Sequence, residues 1–166
     1  MKRIKPLLLL ITVIFCIDYY KVSAQVYTGG SIGVHYDKVL YIDVAPLLGY
    51  RVGILDAGIS PFYSYREYRT RPSSYAYGNR IFMQLTFMPN VFIHGEFEAS
   101  NVATSEIGPD GRRVRKWITG LPVGGGYRYN LTERTQAYGM ILYDIMLDAE
   151  SPVRNPIVRG GVVYSF

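Results

Sequence analysis

The chain has 166 residues, a formal net charge of +5, 49 % hydrophobic and 14 % aromatic residues, two histidines and one cysteine. A lone cysteine excludes a disulfide framework, and two histidines as far apart as His35 and His94 argue against a His/Cys metal centre. The length suits one domain, and no phosphate-cradling glycine loop or dinucleotide motif occurs, so neither cofactor nor metal is expected.

Residues 1–24 read as a secretory signal peptide. Lys2, Arg3 and Lys5 precede an apolar run from Leu7 to Ile17, and Ser23-Ala24 places small residues before the cut. About a dozen apolar residues fall short of the roughly 20 that a membrane-spanning helix needs. Cys16 is a poor lipidation site because Phe15 stands where a small residue is wanted. Cleavage leaves a mature domain, residues 25–166, without cysteine. It also removes four basic residues and one acid, so the net charge falls from +5 to +2.

After the leader no helical period is sustained. Segments rich in Tyr, Val, Ile and Phe alternate apolar with polar residues and are divided by Gly, Pro, Asn and Asp clusters. Eight strands are expected, at 26–36, 39–51, 55–69, 75–88, 91–102, 114–129, 134–148 and 156–166. An even number of strands about ten residues long is what a single-chain outer-membrane barrel requires. If the chain starts in the periplasm, the second, fourth and sixth connections must be the short ones. They fall at Val52-Gly53, at Pro89-Asn90 and at 130–133, whereas 70–74, 103–113 and 149–155 are longer. The first, at Asp37-Lys38, is tight. In the longest, Pro109-Asp110-Gly111 is a turn in which Pro presets φ and Gly accepts a positive one.

Two faces follow from the alternation. In the second strand Ile42, Val44, Pro46, Leu48 and Tyr50 share one face, and Asp43, Ala45, Leu47, Gly49 and Arg51 the other. The fifth divides Ile93, Gly95, Phe97 and Ala99 from His94, Glu96, Glu98 and Ser100. A soluble lipocalin-like sandwich or barrel hides its apolar face, while a membrane barrel turns it to lipid. Aromatic placement decides between them. On the apolar face Tyr36, Tyr63, Tyr65, Tyr75, Tyr77 and Trp117 lie near one set of strand ends, and Tyr50, Phe87, Tyr127, Tyr129, Tyr164 and Phe166 near the other. Two such belts are the interface girdles of a membrane barrel. The expected fold is all-β, an eight-stranded antiparallel up-and-down transmembrane β-barrel.

The expected lumen carries Asp43, Glu96, Glu98 and Asp144 against Arg66, Arg80, Arg128 and Arg159, with His35 and His94 nearby. Buried charges persist when paired, and eight strands enclose only enough space for side chains. The lumen is therefore read as a plug rather than a conduit. Gly120, Gly124 and Gly126 either make room for arginine heads or allow curvature.

The chain resembles small outer-membrane β-barrel proteins of the OmpA/OmpX-like class, and more closely the exported barrels common in Bacteroidetes. The stretches that carry the closer resemblance are 92–98 (FIHGEFE), 121–128 (LPVGGGYR), 141–144 (ILYD), Ser151-Pro152 and 155–161 (NPIVRGG). The resemblance implies location in the cell outer membrane. It also implies that Tyr164 and the terminal Phe166 form the signal read by the outer-membrane assembly machinery. It implies no biochemical activity.

Arg69, Arg71, Arg112, Arg113, Arg115 and Lys116 gather toward the outer rim, where arginine suits bidentate contact with lipopolysaccharide phosphates. A solvated loop is the ordinary alternative, and nucleic acid is not an expected partner of an exported barrel. The expected function is non-catalytic: a monomeric barrel with a structural or surface-interaction role, its loops meeting envelope lipid or an extracellular partner. Two competing classes are a narrow pore for small solutes and a lipid A-modifying enzyme. The enzyme would need a nucleophile beside a base facing lipid, and only His35 with Ser73 or Ser74 offers even a candidate.

Overall fold

Strict alternation over long stretches makes strands rather than helices, because successive side chains point to opposite faces. The computed structural model describes residues 24–36, 39–68, 73–109, 111, 113–146 and 155–166. The proposed signal peptide, all but Ala24, lies outside them. Among the described residues nine strands form: β1 (Ala24–Tyr36), β2 (Val39–Val52), β3 (Leu55–Tyr68), β4 (Ser74–Met88), β5 (Val91–Ile107), β6 (Arg113–Gly120), β7 (Pro122–Asn130), β8 (Thr135–Asp144) and β9 (Ile157–Ser165). Each pairs antiparallel with its neighbours, and β1 meets β9, so the sheet closes on itself. Because β6 and β7 run end to end along β5, the wall has eight staves: a closed eight-stranded barrel.

The sixth stave is broken where a continuous strand, 114–129, is expected. Leu121 N donates to Asp144 Oδ1 (2.9 Å), and its carbonyl accepts from Ile145 N (3.2 Å), so it leaves the ladder. Pro122 behind it has no N–H to give the ladder. Beyond the break, β5 runs on to Ile107, past the expected end at 102, and pairs with β6 as a hairpin. The stave expected at 134–148 is strand only to Asp144. Gly53 (φ 61°) and Gly111 (φ 74°) occupy the left-handed region at two of the turns.

The faces are inverted relative to a soluble domain. Ile32, Val34, Val44, Leu48, Ile59, Ile81, Met83, Ile93 and Ile141 are exposed on the outside, while Asp43, Asp56, Arg80, Glu96 and Arg159 are buried within. Both aromatic belts lie on the exposed surface, from Tyr63, Tyr65, Tyr75, Tyr77 and Trp117 at the long-loop end to Tyr50, Phe87, Tyr127, Tyr129, Tyr164 and Phe166 at the short-turn end. The side chains of Tyr36 and His35 are outside the described residues. Three apolar groups fill the lumen around the charges: Tyr41, Phe92, Met140, Leu142 and Ile157; Tyr27, Phe82 and Val163; and Ala76, Val102 and Ile118.

Gly120, Gly124 and Gly126 of the sixth stave clear space for groups other than arginine heads. A Cβ at Gly120 would sit 2.8 Å from Asp144 Oδ2, and one at Gly126 would meet the Phe92 ring and the Gly139 carbonyl. At Gly124 it would strike the Ile141 carbonyl and lie 2.8 Å from Leu142 Cα, both backbone atoms of β8. Gly124→Val is therefore expected to cost about 1–3 kcal/mol through overpacking against an unyielding neighbour. Urea unfolding of the refolded barrel checks this. Gly95→Ala, whose Cβ would meet only Val123 Cγ1 at 3.8 Å, should be nearly silent.

Candidate functional site

The inward positions of β2, β4, β5 and β9 converge on one buried ion cluster. Arg80, 1 % exposed, grips both Asp43 oxygens through Nη1 (3.0 Å) and Nη2 (2.8 Å) and donates Nε to Glu98 (2.7 Å). Its guanidinium also lies over the Phe62 ring at 3.9 Å. Arg159 donates Nη1 to Glu96 (2.5 Å) and stands 3.6 Å from Glu98 and 3.9 Å from Asp43. Ser100 Oγ completes Glu98 at 2.5 Å. Such a cluster is tolerated because each charge has partners whose geometry offsets its desolvation.

A second cluster lies toward the short-turn end. Asp56, fully buried, accepts from Arg51 Nε (2.7 Å) and Arg128 Nη2 (2.5 Å). Arg128 Nη2 also donates to Gln84 Oε1, which holds that amide with its nitrogen toward His94. Gln84 Nε2 then donates to His94 Nδ1 (2.9 Å), leaving His94 Nε2–H for Glu96 (3.1 Å). Thus Gln84 and His94 join the two clusters into one polar chain from Arg51 to Ser100: it is hydrogen-bonded from Arg51 to Arg159, and Arg159 and Glu96 then meet Asp43, Arg80 and Glu98 as ion pairs at 3.6–3.9 Å. The chain balances Arg51, Arg80, Arg128 and Arg159 against Asp43, Asp56, Glu96 and Glu98. Between the clusters is a cavity of about 30 Å³, lined by Arg51, Gln84, His94, Arg128 and Arg159 among others. That is room for a water or two.

Of the eight expected luminal charges, Asp43, Arg80, Glu96, Glu98 and Arg159 come together, and Arg128 joins through Gln84 and His94. Asp144 does not join: its carboxylate accepts from the backbone N–H groups of Leu121 and Met146 and so caps the broken stave. Arg66 stands farther along β3, its guanidinium 5.9 Å from the Tyr41 ring. Asp56 and Arg51 were missing from the expected set. The alternation of Asp56, Ser60, Ser64 and Arg66 with Leu55, Ile59, Tyr63 and Tyr65 in β3 carries the signal that finds Asp56.

The rim cations separate. Arg69, Arg71 and Arg112 lie outside the described residues. Arg113 and Arg115 alternate with Lys116 along β6, so they occupy opposite faces. Arg115 lies against the outer surface, where Nε donates to Asn101 Oδ1 and the guanidinium covers the Tyr75 ring at 4.5 Å. His94 supplies no lipid-facing base, and the side chain of His35 lies outside the described residues. Both His94 nitrogens are bonded within the lumen, and the ring stacks on Phe82 at 5.6 Å. Among the described residues no group of His, Cys, Asp and Glu is arranged to hold a metal ion.

No protein-family model matches the chain, and no curated protein does. Among solved structures it is similar to Neisserial surface protein A (NspA), with 16 % identity and a TM-score of 0.52 over 86 % of this chain and 97 % of that one. The N-terminal β-barrel domain of Pseudomonas aeruginosa OprF is 14 % identical over 86 % of this chain and 96 % of its own, with a TM-score of 0.49. A de novo designed transmembrane β-barrel is 12 % identical over 86 % and 95 %, with a TM-score of 0.40. With the closed ring and inverted faces, the likeness to NspA gives this chain the fold of the small eight-stranded outer-membrane barrels.

Proposed function

We propose that the chain is an exported, monomeric and non-catalytic barrel of the outer membrane, cleaved after Ala24, with a structural or surface-interaction role. The observation that carries this is the inversion of faces: apolar and aromatic side chains outside, paired charges inside. A soluble barrel would have no use for that arrangement. The lumen is closed by the Arg51-to-Ser100 chain and serves as a plug, a reading supported by the smallness of the voids beside it. The rim arginines and the outer loops face lipopolysaccharide phosphates or an extracellular partner. Tyr164 and Phe166, packed edge to face at 5.5 Å on the β9 side of the seam with β1, would be read by the assembly machinery. A place among the exported barrels of Bacteroidetes rests on the sequence resemblance described above.

Fractionation of cells expressing the full chain, with gel electrophoresis of the membranes before and after boiling, tests the reading. Outer-membrane recovery with a heat-modifiable band is the expected result. A soluble, unshifted protein would overturn it. In planar bilayers the purified barrel should show no unitary conductance, and discrete openings would replace the plug by a narrow pore.

A further inference from the structure

The lipid-facing surface is not uniform around the barrel. Across β4, β5 and β6, near the long-loop end, four polar residues cluster at lipid-facing positions, most of which elsewhere on the barrel are apolar. Asn79 and Thr119 are both exposed and flank Ala99, and Asn101 pairs with Tyr77 on one side and Trp117 on the other. Arg115 lies across this group, donating Nε to Asn101 Oδ1 (2.5 Å) and Nη2 to the Asn101 carbonyl (2.8 Å). Its guanidinium is 4.5 Å from the Tyr75 ring and 5.2 Å from the Tyr77 ring, and Tyr77 meets Trp117 edge-on at 6.2 Å. On the neighbouring β3 the outward partners are Pro61, Tyr63 and Tyr65, and beyond them on β2 and β1 come Val44, Ile42 and Val34.

Polar groups on the lipid face of a barrel are costly unless something polar meets them. The bonds to Asn101 hold one edge of the Arg115 guanidinium, while its only contacts with the Tyr75 carbonyl are long, at 3.4 Å. The group is therefore pre-aimed and has donor capacity left. A fixed guanidinium suits a phosphate, exposed Asn and Thr suit hydroxyls, and flat Tyr and Trp faces suit the C–H side of a sugar ring.

We propose that this patch is a docking site for the phosphorylated disaccharide headgroup of an outer-leaflet glycolipid. The proposal rests on the membrane location above and sharpens it, because it assigns one side of the barrel rather than the whole rim. Arg115 holds the phosphate, Asn79 and Thr119 bond sugar hydroxyls, and Trp117 covers a ring.

Trp117 is the only tryptophan in the chain, so its fluorescence reports on the patch directly. The full chain, refolded in detergent micelles, is titrated with bisphosphorylated lipid A, with its dephosphorylated form and with phosphatidylglycerol at matched charge. The expected result is a saturable change with phosphorylated lipid A alone, weakened on the order of tenfold by Arg115→Gln and less by Arg115→Lys. Thr119→Val, a near-isosteric change at an exposed position, should weaken the response without affecting folding and stands in if Arg115→Gln fails to fold. An equal response to phosphatidylglycerol, an undiminished response in both Arg115→Gln and Thr119→Val, or no response from a heat-modifiable barrel would overturn the site while leaving the location intact. A wild-type chain without a heat-modifiable band would overturn the location itself.

Discussion

Arg80→Ala is expected to destabilise the barrel by about 3–5 kcal/mol, the range for removing one partner of a buried ion pair. The reason is what stays behind. Asp43, 1 % exposed, loses both bonds from its guanidinium fork, and Glu98 is left with Ser100 and a distant Arg159. Neither carboxylate can be rehydrated without opening the barrel, so most of the cost is unpaired buried charge rather than lost attraction. It follows that Arg80→Met combined with Asp43→Asn and Glu98→Gln should recover at least half of the loss. Reversible urea unfolding in lipid vesicles reads both numbers. A loss under about 1 kcal/mol for Arg80→Ala, in the range of an exposed pair, would mean the cluster is not what holds the staves together.

Ile81→Arg is expected to cost about 2–4 kcal/mol in a bilayer, the range for arginine on the lipid face at mid-depth. Ile81 sits midway along β4, between Ile59 on β3 and Phe97 on β5, and is 61 % exposed. On a soluble protein such an exposed change would fall within about 0.5 kcal/mol of neutral. Tyr129→Arg, in the aromatic belt at the short-turn end, should cost only about 0–1 kcal/mol because the interface tolerates charge. A flat profile between the two positions would remove lipid from the outer surface and with it the assigned faces.

The staves and their faces were legible in the chain because alternation is a local property. Two adjacent residues on a strand point to opposite sides whatever the rest of the molecule does. That is why Ile42 and Val44 separate from Asp43 and Ala45, and why the aromatic belts emerge before any pairing is known. The break at Leu121 was less legible. Pro122 hints at it, but the hydrogen bonds that make it come from Asp144 and Ile145, on another stave.

By itself the sequence determined which residues point inward and that they carry balanced charge, since both follow from order along the chain. Which charge meets which was decided only by the closed ring. Arg128 reaches Asp56 across 72 positions and Arg159 reaches Glu96 across 63. The register of each ladder and the tilt that closure imposes set the height of every inward side chain, and neither is written in any single strand. For the same reason Asp144, an inward aspartate like Asp43, caps a broken strand instead of joining an arginine, and Asn101 and Arg115, from two strands, meet on the outer surface.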